Sequence, residues 1–424
     1  MSTRRDPASF DRRAFLAGAA ASCLGQLRPA RAEDSDPLQE LIQRNQQDAT
    51  GQNFDAAAGN AQMPRASLPT LSPATTQTTE AAVALYEQIV ARGGWPHVPP
   101  VERLALGMKH PSVAPLRERL IIAGDLAGRT VINDIYDSYV EAAVRRFQAR
   151  HGLTIDGIIR EATFKSLNVP AEARMNQLRT NVARLRAFSS TLGPRFVMAN
   201  IPAAWIEAVE GGVAVSRHTA VAGKPDRPSP DIQSKIVEIN FNPYWTVPVS
   251  IVRKDLIPKM QAEPDYLSKF HIRIFDPRGN ELPPAQINWY SEEAVNYRFK
   301  QDPGELNSLG TMRINFPSPY GVYMHDTPFK NLFGEDDRFH SSGCMRVQNV
   351  RDLVYWLLAE TPGWSRAEID QVIRSGERKD ARVAKPVLLY WVYVTAWATP
   401  DNVVQFREDI YNRDGIGQYA ASRG

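Results

Sequence analysis

The sequence predicts an α+β protein, in which a helical N-terminal region precedes a mainly β domain that carries a helical insertion. Up to residue 192, apolar residues recur every three or four positions, which is the spacing of one helix face. From residue 195 onwards, short runs of β-branched and aromatic residues replace that pattern, as is typical of strands. Residues 249–310 interrupt these runs with two helical segments and long loops.

The composition is that of an ordinary globular chain. The 424 residues are 43% hydrophobic and 23% charged, and a chain of this length is expected to form two to three domains. The formal charge of +3 is nearly balanced, so no nucleic-acid partner is indicated. No stretch reaches the about 18 consecutive apolar residues of a membrane span. The oligomeric state is not indicated by any of these features.

Residues 1–32 have the pattern of an export signal. Residues 11–16 read DRRAFL, which resembles the twin-arginine pattern, and small residues for cleavage follow at positions 30–32. We therefore expect export to the periplasm by the twin-arginine route. Two alternatives are a merely basic start and lipid attachment at Cys23, although Ala20 replaces the usual leucine there. Cleavage would leave Cys344 as the only cysteine, which excludes an intramolecular disulfide.

The region before residue 195 divides into a linker, a helical region and a connecting helix. Residues 33–78 are polar and rich in Gln, Asn, Ala, Thr and Pro, which predicts a flexible linker. Residues 79–170 are predicted to be helical, with an amphipathic helix that ends before Gly152, because glycine readily takes the left-handed conformation. Residues 171–194 are predicted to be a connecting helix.

Residues 195–400 are predicted to form the β domain, and residues 401–424 a polar tail that could be partly docked on it. A hairpin turn is expected at Gly211 and Gly212. The expected strands are 196–201, 204–209, 213–222, 236–241, the aromatic-rich 243–248, 311–316, 322–325 and 387–397. The expected helices are 352–358 and 364–375, with 251–259 and 264–270 inside the insertion.

Cys344 is the candidate nucleophile. The thiolate is the attacking form, and a thiol of pKa ~8.5 is only a few per cent ionised at neutral pH, so a base or positive field is required nearby. His325 lies 19 positions earlier, and a loop of that length can return its imidazole to the sulfur. Gly343 permits a tight turn whose N–H groups can hold an oxyanion. The alternative is an inert buried cysteine near an unrelated histidine.

Three neighbouring residues are candidates for substrate or oxyanion support. Tyr323 would project to the same side of a strand as His325, so it could orient substrate or donate to an oxyanion, with simple packing as the alternative. Arg346 could bind a substrate carboxylate through its planar guanidinium, with a structural ion pair as the alternative. Ser342 could shape the loop around Gly343.

A metal site and a serine nucleophile are weaker alternatives. His325, Asp326, His340 and Cys344 could in principle meet at a zinc ion. However, the sequence has no dense ligand pair such as Cys-x-x-Cys, so we predict neither a metal nor a cofactor. A thiol beside a glycine is also a better nucleophile than a neighbouring serine hydroxyl.

Two motifs resemble known families. Residues 325–328 (HDTP) and 341–347 (SSGCMRV) resemble the active site of L,D-transpeptidases with a YkuD-type catalytic domain, in particular the large YcbB-type members. That family usually has histidine where Ser342 stands. Residues 147–158 (FQARHGLTIDGI) resemble the small helical peptidoglycan-binding domain, with a generic helical hairpin as the alternative. The insertion resembles the lid-like subdomain of YcbB-type enzymes, with a surface excursion as the alternative.

The resemblance implies an exported peptidoglycan L,D-transpeptidase of cell-wall biogenesis, with peptidoglycan stem peptides as partners. Cys344 would attack the carbonyl of the third residue of a donor tetrapeptide, a diaminopimelate-type residue, and form a thioester as D-Ala leaves. An acceptor side-chain amine would then give a 3→3 cross-link, with His325 as the base and N–H groups near Gly343 holding the oxyanion. The alternatives are an L,D-carboxypeptidase, in which water is the acceptor, and a non-catalytic peptidoglycan-binding protein.

Overall fold

The structure, a computed structural model, describes residues 68–128 and 130–415. The predicted export signal at residues 1–32, most of the predicted linker and the last residues of the tail lie outside this part of the chain. None of the helices within it is long and apolar enough to cross a membrane.

Five α-helices precede the β domain in the described chain. They are α1 (Pro73–Ala91), α2 (Val113–Ile122), α3 (Ser138–His151), α4 (Glu161–Leu167) and α5 (Ala171–Ser189). The linker prediction is wrong for residues 73–78, because α1 already begins at Pro73. Ser72 Oγ accepts the Thr75 N–H at 3.0 Å, and proline suits the first helical turn.

Helices α2, α3 and α4 enclose a hydrophobic core of their own. The predicted end of α3 is confirmed, because Gly152 has a left-handed φ of 68° there. Fourteen buried side chains form this core: Val98, Leu104, Val113, Leu116, Leu120, Leu126, Tyr136, Val140, Ala143, Val144, Phe147, Ile159, Phe164 and Leu167. Residues 98–167 are therefore held together by contacts within their own segment.

The rest of the described chain is rich in strands. They are β1 (Arg195–Asn200), β2 (Trp205–Glu210), β3 (Val213–Gly223), β4 (Ile232–Phe241), β5 (Trp245–Thr246), β6 (Ile272–Phe275), β7 (Glu281–Leu282), β8 (Arg298–Gln301), β9 (Met312–Asn315), β10 (Met324–His325), β11 (Phe339–Ser341), β12 (Met345–Val347), β13 (Lys379–Val392), β14 (Ala396–Ala398) and β15 (Val404–Phe406). The first three confirm the predicted strands around the glycine pair. The predicted strand 387–397 is split, because β13 ends at Val392.

Nine strands form the main sheet in the order β11-β3-β12-β10-β9-β4-β13-β1-β2, and β2 also pairs with β3. This last pairing closes the sheet into a barrel. Ile314, Met324 and Met345 lie side by side on β9, β10 and β12 and belong to the main hydrophobic core. Because side chains alternate between the two faces of a strand, their neighbours in sequence lie on the opposite face.

The insertion contains helices, as predicted, but its remaining residues are not simply loops. Its first helical run consists of α6 (Val249–Ile251), a π-helical turn (Val252–Leu256) and α7 (Ile257–Ala262), and α8 (Tyr266–Lys269) follows. The prediction of loops is wrong for β6, β7 and β8, which form a second, four-stranded sheet together with β5. Because β5 belongs to this sheet, the insertion spans residues 243–310 in the structure. These strands are two to four residues long, which is too short for a clear alternating pattern.

Two helices and the chain end complete the domain. The predicted helices near 352–358 and 364–375 are confirmed as α9 (Val350–Leu358) and α10 (Arg366–Ser375). The described part of the predicted tail is docked on the domain, because β15 pairs with β14. Arg407 is buried there, with its guanidinium 5.0 Å from the ring centroids of both Trp205 and Trp397. Because the guanidinium interacts with tryptophan rings that are distant in sequence, this polar segment can pack against the domain.

Candidate active site

The sheet brings the predicted site residues together on one face. His325 on β10 lies opposite Arg346 on the parallel strand β12. The same register, carried back two residues, sets Tyr323 beside Cys344, and the Met345 N–H donates to the Tyr323 carbonyl at 3.1 Å. Because side chains alternate along a strand, Tyr323, His325, Cys344 and Arg346 share one face, opposite to that of Met324 and Met345.

The loop before Cys344 is held by two buried serines. Gly343 has a φ of 111°, which side chains rarely adopt, so this position favours glycine. Ser341 Oγ accepts the Gly343 N–H at 3.1 Å and donates to the Cys344 carbonyl at 2.6 Å, and Ser229 Oγ donates to the Gly343 carbonyl at 2.9 Å. The Gly343 N–H is thus already engaged. The Cys344 N–H has no partner among the described residues and can receive an oxyanion.

Ser342 faces the insertion. Its side chain is exposed, and its Oγ accepts a hydrogen bond from Arg227 Nη1 at 3.0 Å. The Arg227 guanidinium also pairs with both carboxylate oxygens of Asp255 in the π-helical turn, at 2.6 and 3.0 Å. Arg227 therefore connects the nucleophile loop to the insertion.

The Cys344 thiol is protonated in the resting site. Burial raises the pKa of this thiol to about 11, although the Tyr323 backbone N–H and the positive charges of Arg346 and Arg313 oppose the shift. Attack at neutral pH consequently requires a group that accepts the proton.

His325 is buried as a neutral imidazole. Burial and the positive charge of Arg346 lower the pKa of His325 to about 3. Its Nδ1 contacts the Asp326 carbonyl, which can only accept, so Nδ1 bears the proton and Nε2 retains the lone pair. This tautomer is the one that can act as a base through Nε2.

The turn after His325 is anchored by a carboxylate. Asp326 Oδ2 accepts hydrogen bonds from the Thr311 N–H at 2.9 Å and the Thr311 hydroxyl at 2.8 Å, and Oδ1 binds the Lys330 ammonium. Burial opposes ionisation, but Lys330 and these hydrogen bonds hold the pKa of Asp326 below its usual value. Asp326 thus stays ionised and fixes the backbone whose carbonyl orients His325.

Tyr323 contacts both the histidine and the insertion. Its ring centroid is 5.8 Å from that of His325 in an edge-on arrangement. Its hydroxyl accepts a hydrogen bond from Trp245 Nε1 at 3.1 Å, and burial raises the pKa of this phenol. The hydroxyl therefore keeps its proton and can donate it in a hydrogen bond.

The structure does not place His340 at the site. His340 Nε2 instead contacts Glu335 Oε2 at 3.1 Å and the Asp337 carbonyl at 2.8 Å. In the part of the chain that the structure describes, no three His, Cys, Asp or Glu side chains are arranged to hold a metal ion.

Sequence reasoning missed several residues that shape the site. Arg313 on β9 lies opposite His325, and the alternation of Met312 and Ile314 into the core is the signal that could have placed it on the catalytic face. Tyr411, from the segment predicted to be a tail, donates to the Gly223 carbonyl at 2.6 Å and accepts the Ser229 N–H at 3.1 Å. No local sequence pattern indicates that Tyr411 forms these hydrogen bonds near the site.

Two family models match the chain. The model of the L,D-transpeptidase catalytic domain, YkuD, matches residues 194–369. Residues 194–369 belong to this family. The model described as "Putative peptidoglycan binding domain" matches residues 109–167, which lie within the core formed by α2, α3 and α4. The predicted YkuD-type catalytic domain and peptidoglycan-binding domain are confirmed.

Individual proteins are similar to parts of this chain. A Haemophilus influenzae protein named "Putative L,D-transpeptidase" is 35% identical over 241 residues, which are 56% of this chain and 48% of the relative. The chain thus spans about half the length of that relative. Among solved structures, a Xylanimonas cellulosilytica L,D-transpeptidase is similar at 14% identity over 69% of this chain and 99% of that chain, with a TM-score of 0.23. Mycobacterium tuberculosis L,D-transpeptidase 3 with a faropenem-derived adduct is similar at 13% identity over 46% and 60%, with a TM-score of 0.23.

Proposed function

We propose that this protein is an exported peptidoglycan L,D-transpeptidase that forms 3→3 cross-links between stem peptides through a thioester on Cys344. The observation that supports this most is the neighbouring position of Cys344 and His325 on one sheet face, with Nε2 of His325 unprotonated. The catalytic-domain family supports acyl transfer, and the binding domain supports peptidoglycan as the partner. Delivery to the periplasm by the twin-arginine route is part of the same proposal.

The proposed reaction has two steps. Cys344 attacks the carbonyl of the third donor residue while His325 Nε2 accepts the thiol proton, and the Cys344 N–H donates to the oxyanion. The imidazolium returns the proton to the amine of D-Ala, which leaves. The acceptor amine then attacks the thioester, loses its proton to His325 and releases the sulfur. Because the pKa of the thiol is raised and that of the histidine is lowered, the ion pair is not a resting state, and proton transfer accompanies attack.

We propose that the positive charge of Arg346 stabilises the thiolate of Cys344. Burial lowers the pKa of Arg346 to about 10, so it stays charged at neutral pH and favours the thiolate. Its Nε and Nη1 are buried and have no partner among the described residues. The burial of these two atoms beside Cys344 favours stabilisation of the thiolate by charge. Binding of a substrate carboxylate by Arg346 stays a prediction.

Purified protein should convert a donor tetrapeptide and an acceptor stem peptide into a 3→3 dimer, with one D-Ala released per dimer. Chromatography with mass spectrometry identifies the products. Release of D-Ala with tripeptide alone would instead assign an L,D-carboxypeptidase. Retention on sacculi without either product would assign a non-catalytic peptidoglycan-binding protein.

We also propose that the insertion covers the thioester. Its ends lie close together, because the Asn242 N–H donates to the Thr311 carbonyl at 2.8 Å. It reaches the site at two points, through the Asp255 pair with Arg227 and through the hydrogen bond from Trp245 to the Tyr323 hydroxyl. A cover over the sulfur excludes water and favours attack by an amine.

Replacement of residues 243–310 by a two-residue Asn-Gly turn should raise the ratio of hydrolysis to cross-linking several-fold, because water then reaches the thioester. The turn fits because Phe241 and Met312 are directly paired on antiparallel strands. Chromatography of the products measures the ratio, and Trp245→Phe controls for loss of the Tyr323 hydrogen bond alone. The parent ratio in the shortened enzyme would show that the insertion is a surface excursion.

A further inference from the structure

Arg313 is fixed on the catalytic face by two contacts. It lies on β9, opposite Asn240 on β4 and opposite His325 on β10. Its Nε donates to Asn240 Oδ1 at 3.1 Å, and its guanidinium lies 5.1 Å from the Tyr323 ring centroid. This arrangement immobilises one edge of the guanidinium next to the proposed base.

The amide of Asn240 is oriented by carboxylates. Its Nδ2 donates to Glu238 Oε1 at 2.9 Å and to Asp380 Oδ1 at 2.7 Å, so Oδ1 faces Arg313. Asp380 also pairs with Arg378 at 3.1 Å. Both nearby carboxylates therefore contact the amide, and neither forms an ion pair with Arg313 in the described chain.

The other edge of Arg313 is free. Its Nη1 and Nη2 have no hydrogen-bond partner among the described residues. Both atoms are accessible, because neither belongs to the buried side-chain atoms that lack a partner. Arg346 differs, because its Nε and Nη1 are both buried. Arg313 thus offers an accessible fork of N–H groups, which is the geometry that binds a carboxylate with two parallel hydrogen bonds.

We propose that Arg313 binds a carboxylate of the donor stem peptide and makes this enzyme selective for donors in which that carboxylate is free. The inference rests on the proposed function. Neighbouring strands lie about 4.8 Å apart, so Arg313, one strand from His325, is within reach of groups close to the attacked carbonyl. A tetrapeptide donor carries two such groups, the terminal carboxylate of D-Ala and the side-chain carboxylate of the third residue.

Three donor tetrapeptides test the proposal: one with both carboxylates free, one with a terminal carboxamide and one with a side-chain carboxamide. Wild-type kcat/KM should fall about tenfold to a hundredfold for one of the two amides, which identifies the carboxylate that Arg313 binds. In Arg313→Gln this discrimination should disappear. Because the charge of Arg313 also lowers the pKa of Cys344, the variant should slow all three donors, but only carboxylate binding changes the ratio between donors.

Two further variants sharpen the result. Arg313→Lys keeps the charge without the planar fork and should retain only part of the discrimination. Arg186→Gln is the matched control, since Arg186 is an exposed residue that pairs with Glu80 at 2.8 Å on the helical side of the protein. The inference is overturned if the ratio of kcat/KM between donors is the same in Arg313→Gln as in the wild type, or if the wild type uses all three donors equally. Neither result contradicts the proposed function. A wild type that turns over none of them contradicts the proposed function as well.

Discussion

Cys344→Ala should abolish covalent acylation by a carbapenem-type reagent while the protein remains folded. Cys344 is the only cysteine in the described chain, and the proposed thioester requires its sulfur. Removing one sulfur atom from a half-buried position is expected to cost only about 1–2 kcal/mol of unfolding free energy. Intact-mass spectrometry measures the adduct, and thermal unfolding monitors the fold.

Ser342→Ala provides the matched control for this experiment. Ser342 lies in the same loop but is exposed and directed towards Arg227, so its variant should still form the adduct. An adduct of equal yield on Cys344→Ala would show that another residue reacts, and would exclude Cys344 as the nucleophile.

His325→Gln should lower the rate of thioester formation about 10²- to 10⁴-fold at neutral pH. Glutamine can still donate to the Asp326 carbonyl, so the turn is expected to persist, but it cannot accept the thiol proton. The remaining reaction depends on the small fraction of free thiolate, because burial raises the pKa of Cys344 to about 11. Stopped-flow acylation kinetics would measure the loss.

The pH dependence separates a base from a residue that only packs. Since the pKa of His325 is lowered to about 3, the wild type should show no inflection from this group between pH 5 and pH 8. In His325→Gln the rate should rise about tenfold per pH unit throughout this range, because the thiolate fraction does so below the pKa of the thiol. His340→Gln, at a histidine outside the site, should behave like the wild type. A His325→Gln enzyme with the wild-type rate and profile would eliminate the proposed base.

The sequence determined the chemical identity of the site and the elements with a clear local period. Cys344 and His325 could be singled out because each stands in a short ordered motif. Helix α3 followed from apolar spacing and from the glycine at its end, and β1, β2 and β3 followed from apolar runs around a glycine pair. These features depend on residues within one helical turn or one hairpin of each other. The local sequence pattern is therefore sufficient to predict them.

Only the tertiary structure decided which distant side chains join these two residues. Arg313 reaches the catalytic face because β9 pairs with β10 in one register, and a shift by one residue would turn it into the core. Ser229 and Tyr411 brace the nucleophile loop although they are far from it in sequence. The short strands of the insertion are likewise stabilised by pairing with each other rather than by their own pattern. Strand register and long-range hydrogen bonds arise from the simultaneous packing of the whole barrel, so no single segment of sequence specifies them.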